Sequence, residues 1–97
     1  MLKNGFFVRL EAKAGKEQEV ENFLRGALPL AQAEPDTIVW FAVKFSPTSF
    51  AIFDAFETEE GRQIHLEGKI ADALFANAEE LLATPPVIDR WDAIVVK

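Results

Sequence analysis

The chain has one histidine, His65, no cysteine and no tyrosine. Thiol nucleophiles, thiolate metal sites and disulfides are thereby excluded, and so is phenolic acid–base chemistry. An imidazole titrates near neutrality, which makes His65 the natural proton carrier. Asp54 lies inside the apolar run Ser49–Phe56 (SFAIFDAF), where burial would favour its neutral form and make it a candidate base. Each has a structural alternative: Asp54 as an anchor for Arg or backbone donors, His65 as the partner of that carboxylate. A His65–Asp54 hydrogen bond would join the two. Arg9, Arg62 and Arg90 could each hold an anionic oxygen, although surface pairing suits all three. Trp40 and Trp91 could stack on a planar ligand or simply fill core or interface. A lone His with scattered carboxylates gives no metal-ligand spacing, so no metal is expected. Glycine-rich phosphate loops and serine nucleophile motifs are missing too.

Elements that must position these residues are legible in the patterning. Gly5–Lys13 alternates, with Phe6, Val8, Leu10 and Ala12 on one side and Phe7, Arg9, Glu11 and Lys13 on the other. Gly15 ends that strand. From Lys16 to about Ala33, Val20, Phe23, Leu24, Ala27, Leu28 and Ala31 recur at helical spacing, with a kink expected around Gly26 and Pro29. Thr37–Phe45 and Ser49–Phe56 read as a hairpin around Ser46-Pro47-Thr48. Thr58 caps a short helix carrying His65 that stops at Gly68. A second helix runs from Lys69 to about Ala83, and Val87–Lys97 closes the chain as a strand.

Ninety-seven residues suffice for one domain, 1–97, without repeats or linkers. The order β-α-β-β-α-α-β in so short a chain predicts an α+β ferredoxin-like split βαβ sandwich, a four-stranded antiparallel sheet with helices on one face. A net charge of −6 argues against nucleic acid or an anionic membrane as partner. The N-terminus shows no targeting pattern and no apolar run approaches membrane-spanning length, which makes the cytoplasm the expected compartment.

A symmetric hairpin would set Phe45 opposite Phe50, placing Phe41, Ile52 and Phe56 with Phe6 and Val8 under the helices. The other face would then expose Phe7, Ile38, Trp40 and Phe53, with Trp91 open to either side. Such a patch exceeds what monomers usually show, so a homodimer joined through these four residues is expected, the alternative being a monomer whose aromatics are shielded by Arg9, Lys44 and Glu11.

These segments resemble the antibiotic biosynthesis monooxygenase family, small ferredoxin-like domains that form dimeric α+β barrels. The likeness rests on GFFVRLEAKAGKEQEVENFL, on the AEPDT turn, and above all on FDAFETEEGRQIHLEG, which supplies Asp54, Phe56, Glu59-Glu60 and His65. The resemblance implies a pocket between sheet and helices, lined here by Phe6, Val8, Phe41, Ile52, Phe56 and Trp91. It also implies oxidation or isomerisation of a small planar aromatic or quinol-type molecule with no cofactor, Asp54 and His65 handling protons. A non-catalytic ligand-binding or stress-associated dimer is the alternative. Haem-degrading and tricyclic-phenol branches use a Trp where this chain has Phe56, and an Asn that falls near Val8 or Ile52. That Asn–Trp form of the site is not preserved.

Overall fold

The computed structural model describes residues 1–97. Its elements are β1 (Asn4–Glu11), α1 (Glu17–Gln32), β2 (Val39–Lys44), β3 (Ser49–Phe56), α2 (Glu59–Leu66), α3 (Lys69–Leu81) and β4 (Val87–Asp92). The strands form one antiparallel sheet in the order β2-β3-β1-β4. This is the ferredoxin-like α+β arrangement expected from the element order.

Each helix buries the stripe its sequence offers. α1 turns Val20, Leu24, Ala27 and Ala31 inward and starts with Glu17 and Glu19, whose charges suit a helix N-terminus. It runs unbroken through Gly26 and Pro29, both exposed, to Gln32. Thr58 caps α2 by accepting the Gly61 N–H at 2.9 Å. The main core joins Phe6, Val8 and Leu10 of β1 to Phe50, Ile52 and Phe56 of β3 and to Val20, Leu24, Leu74 and Leu81 of the helices.

The hairpin departs from the symmetric expectation by one residue. Lys44, not Phe45, lies opposite Phe50, and Phe41 lies opposite Phe53. The loop closes more tightly than expected: Phe45 N–H donates to the Ser49 carbonyl at 2.8 Å, and Ser46 Oγ accepts the Ser49 N–H at 3.1 Å. Only Ser46, Pro47 and Thr48 remain in the turn, a three-residue hairpin. A one-residue shift reverses every side chain of β2. Trp40 therefore packs on the helix side against both core clusters. Phe41 moves to the opposite, helix-free face, where it is 57% exposed and stacks on Phe53 at 6.4 Å. Ile38, just before β2 and half exposed, shares the parity of Trp40.

Trp91 pairs with Gly5 and takes the helix-free face, the second of its two expected places, and so leaves the pocket. Its ring stacks on Phe53 at 5.2 Å and 6°. A Cβ on Gly5 would come within 2.4 Å of that ring and 2.0 Å of the Asp54 carbonyl oxygen. Glycine is required there by close approach. Phe7, Phe41, Phe53 and Trp91 thus form an aromatic row across the sheet, with Arg9 set over the rings of Phe7 and Phe45 at 5.6 and 5.4 Å. Of the four residues expected on this face, Phe7 and Phe53 occupy it; Ile38 and Trp40 do not.

β4 ends at Asp92, and the Ala93 N–H donates to the Lys3 carbonyl at 2.8 Å. Beyond it Ile94 and Val95 are 97% and 87% exposed. No helix is long and apolar enough to cross a membrane.

Candidate functional site

Asp54 points from the middle of the sheet toward the helices and is 1% exposed. Its Oδ1 accepts the Phe6 N–H of the neighbouring strand at 2.8 Å. Its Oδ2 lies 3.1 Å from His65 Nε2. The structure therefore brings the two candidate proton carriers together, β3 delivering one and α2 the other.

The second ring nitrogen reveals a residue that the sequence did not suggest. His65 Nδ1 meets Glu34 Oε1 at 2.5 Å, and the Thr37 hydroxyl donates to the same oxygen at 2.6 Å. Glu34 follows the C-terminus of α1, whose last turn holds no basic residue. An acid at the negative end of a helix dipole is poorly placed on its own. That misplacement is the one sequence signal that could have betrayed a partner elsewhere. Glu34, His65 and Asp54 form a series running from a partly exposed carboxylate through a buried imidazole to a fully buried carboxylate. Burial by itself would lower the His65 pKa, but the two flanking carboxylates outweigh it and hold the ring above its ordinary value. The three groups stand in line rather than around one point, and no cluster of three ligands suited to a metal ion is formed.

His65 and Asp54 open onto a cavity of about 30 Å³ between sheet and helices. Phe6, Val8 and Ile52 line it from the sheet, together with Leu74 and Phe75 of α3 and Ile88 of β4. Phe56 lies at one side, its ring 5.3 Å from that of His65. Phe41 and Trp91 contribute nothing, because their strands turn them to the other face. The space suits about one or two waters, and α3 side chains fill the rest.

The arginines divide. Arg90 is exposed and reaches Glu59 at 3.4 Å, as surface pairing predicts. Arg62, in contrast, is 5% exposed and donates to the carbonyls of Gly5 at 3.3 Å and Trp91 at 3.1 Å. It braces α2 to β1 and β4 instead of facing solvent. A separate apolar groove of about 390 Å³ lies between α1 and the edge strand β2 and is lined by Leu24, Leu28, Trp40 and Phe41. It contains neither His65 nor Asp54.

Comparison with known proteins agrees with this architecture. A Nitrosomonas europaea protein of unknown function is 54% identical, with a TM-score of 0.96 over 100% of this chain and 94% of that one. A candidate antibiotic biosynthesis monooxygenase from the same organism superposes with a TM-score of 0.84 at 16% identity, covering 95% and 99% of the two chains. A Mycobacterium tuberculosis protein gives 0.85 at 12% identity, covering 98% and 97%. No protein-family model and no curated protein matches the sequence. The chain belongs to one family with the 54%-identical Nitrosomonas protein and has the fold of the antibiotic biosynthesis monooxygenase-like domains.

Proposed function

We propose that this domain, built on the antibiotic biosynthesis monooxygenase-like fold, works as a cytoplasmic homodimer that takes a small planar aromatic or quinol-type molecule beside Asp54 and His65. The observation that carries the reading is the buried Asp54–His65 pair at the floor of an otherwise apolar cavity. A hydroxylated aromatic entering there would present its O–H to the only polar groups lining the space. Deprotonation by Asp54 would yield an electron-rich anion able to pass an electron to O₂, with the apolar walls excluding water. Substrate chemistry then carries the redox step and no cofactor is invoked. At about 30 Å³ the cavity is closed to such a molecule until Leu74 and Phe75 of α3 move aside.

The dimer part of the proposal rests on the aromatic row of Phe7, Phe41, Phe53 and Trp91, which no helix covers. An antiparallel sheet left with one face in water normally makes that face polar. Here a second copy laid against it would bury the row symmetrically.

One observation favours a second reading, a ligand-binding dimer without turnover: both nitrogens of His65 are already committed to carboxylates, in a nearly filled cavity. Oxygen uptake by the purified protein with a panel of quinols and polycyclic phenols, beside His65→Ala and Asp54→Asn, decides between them. Uptake lost in both variants supports catalysis. Uptake with no compound, or unchanged in both variants, removes it.

A further inference from the structure

We propose that Glu34 is the positioning residue of the site and its proton outlet: it holds His65 by Nδ1 and passes outward the proton released when Asp54 takes one from a hydroxyl in the cavity. The role of Asp54 as base belongs to the function proposed above, and this inference rests on it.

Three features of the geometry carry the idea. His65 sits between two carboxylates, Nε2 facing Asp54 at 3.1 Å and Nδ1 facing Glu34 at 2.5 Å. A ring so placed is favoured with both nitrogens protonated, as imidazolium. Burial falls steeply along the series: the Asp54 side chain is 1% exposed, His65 8% and Glu34 20%. Glu34 is thus the member of the three in contact with solvent. Its position is also fixed, since Thr37 donates to Oε1 and Gly68, at the elbow between α2 and α3, leaves room beside Oε2. The Thr37 hydroxyl also lies 3.5 Å from Nδ1, and the rings of Phe6 and Phe56 flank the imidazole, so Asp54 is the charge that faces it from the sheet.

The step balances without any electron moving. A phenolic O–H in the cavity gives its proton to the Asp54 carboxylate, leaving a phenolate and a neutral acid. His65, no longer facing a negative charge at Nε2, is less stable as imidazolium and releases its Nδ1 proton to Glu34. Glu34 hands that proton to water and is again a carboxylate. One proton has entered at the buried end and a different one has left at the exposed end. The reverse sequence restores the resting state when the product oxygen is reprotonated. No molecule of water needs to enter the cavity.

Because His65 is the single histidine, nitrogen-detected NMR of its ring on the substrate-free protein tests the proposal. In the natural protein at pH 7 both ring nitrogens are expected protonated. In Glu34→Gln, which keeps a hydrogen-bond acceptor but cannot take a proton, the His65 midpoint is expected to fall by about one pH unit, on the order of tenfold in proton affinity. Glu34→Asp, which keeps the charge, is expected to fall between the two. A His65 midpoint left in place in Glu34→Gln, whatever the change in melting temperature, would mean that Glu34 exchanges no charge with the ring and would overturn the proposal. A neutral His65 in the natural protein at pH 7 overturns it as well, even were Glu34→Gln not to fold. These spectra need no substrate. A protein that consumes no oxygen yet shows the Glu34-dependent midpoint therefore refutes the oxygenase reading alone.

Discussion

His65 and Glu34, 31 residues apart in sequence, meet at 2.5 Å and tie the turn after α1 to the last turn of α2. With Asp54 on the other side of the ring, this pair adds charge to the packing of Leu66 and the bracing of Arg62 that hold α2 against the sheet. The His65 pKa is raised in the fold, while in the unfolded chain a histidine titrates near ~6.5. The pair's stabilisation is therefore complete below about pH 6.5 and fades as pH climbs through the folded value. Thermal melts from about pH 6 to about pH 9 should show the natural protein losing its advantage over His65→Gln. An advantage constant across that range would contradict the charge-based account.

Asp54 satisfies two partners at once, the Phe6 N–H and His65. Asp54→Ala strands a buried amide and a buried imidazole, at a cost of about 2–4 kcal/mol. Asp54→Asn keeps the acceptor for Phe6 and should cost distinctly less. Denaturant unfolding of the two variants checks the order; equal losses would mean that the Phe6 bond is immaterial.

Gly5→Ala tests the close approach of Trp91 to the first strand. The added methyl overlaps the Asp54 carbonyl at 2.0 Å and the indole at 2.4 Å, so β1 must shift from β3 and the ring must move in its stack on Phe53. Overpacking of this kind costs ~1–3 kcal/mol. In a Trp40→Phe background the emission of Trp91 should shift to the red; unchanged emission would show that the strand shift alone relieves both overlaps.

Phe53 lies at the centre of the aromatic row, stacked on Phe41 and Trp91. The natural protein is expected to sediment as a dimer at micromolar concentration, and Phe53→Asp as a folded monomer. Sedimentation of the natural protein as a monomer would end the dimer proposal.

Local patterning made most of the fold legible. The alternation of β1, the apolar stripe of α1 and the Thr58 cap depend on residues close in sequence, and all three appear where the pattern puts them. The β2 register was not legible for a physical reason. Val39, Phe41 and Val43 are apolar, but so are Ile38, Trp40 and Ala42, so either face suits the core and only the loop decides. Phe41 and Trp40 exchange faces on that account. Asp54 and His65 stood out by type; Glu34 did not, because its meaning depends on a partner on another helix. Arg62 looked like any surface arginine, since the carbonyls it braces come from two strands distant in sequence.

The three-residue turn at Ser46-Pro47-Thr48 also bears on how this chain can change by descent. Hairpin tips are ordinarily where insertions and deletions are tolerated. Here a single added residue that shifted the pairing would send Trp40 out of the core and Phe41 into it, remaking two surfaces at once. Length at this tip should therefore be held fixed among relatives while the residues themselves drift, and the tip is a poor place to insert a tag or fuse a second domain.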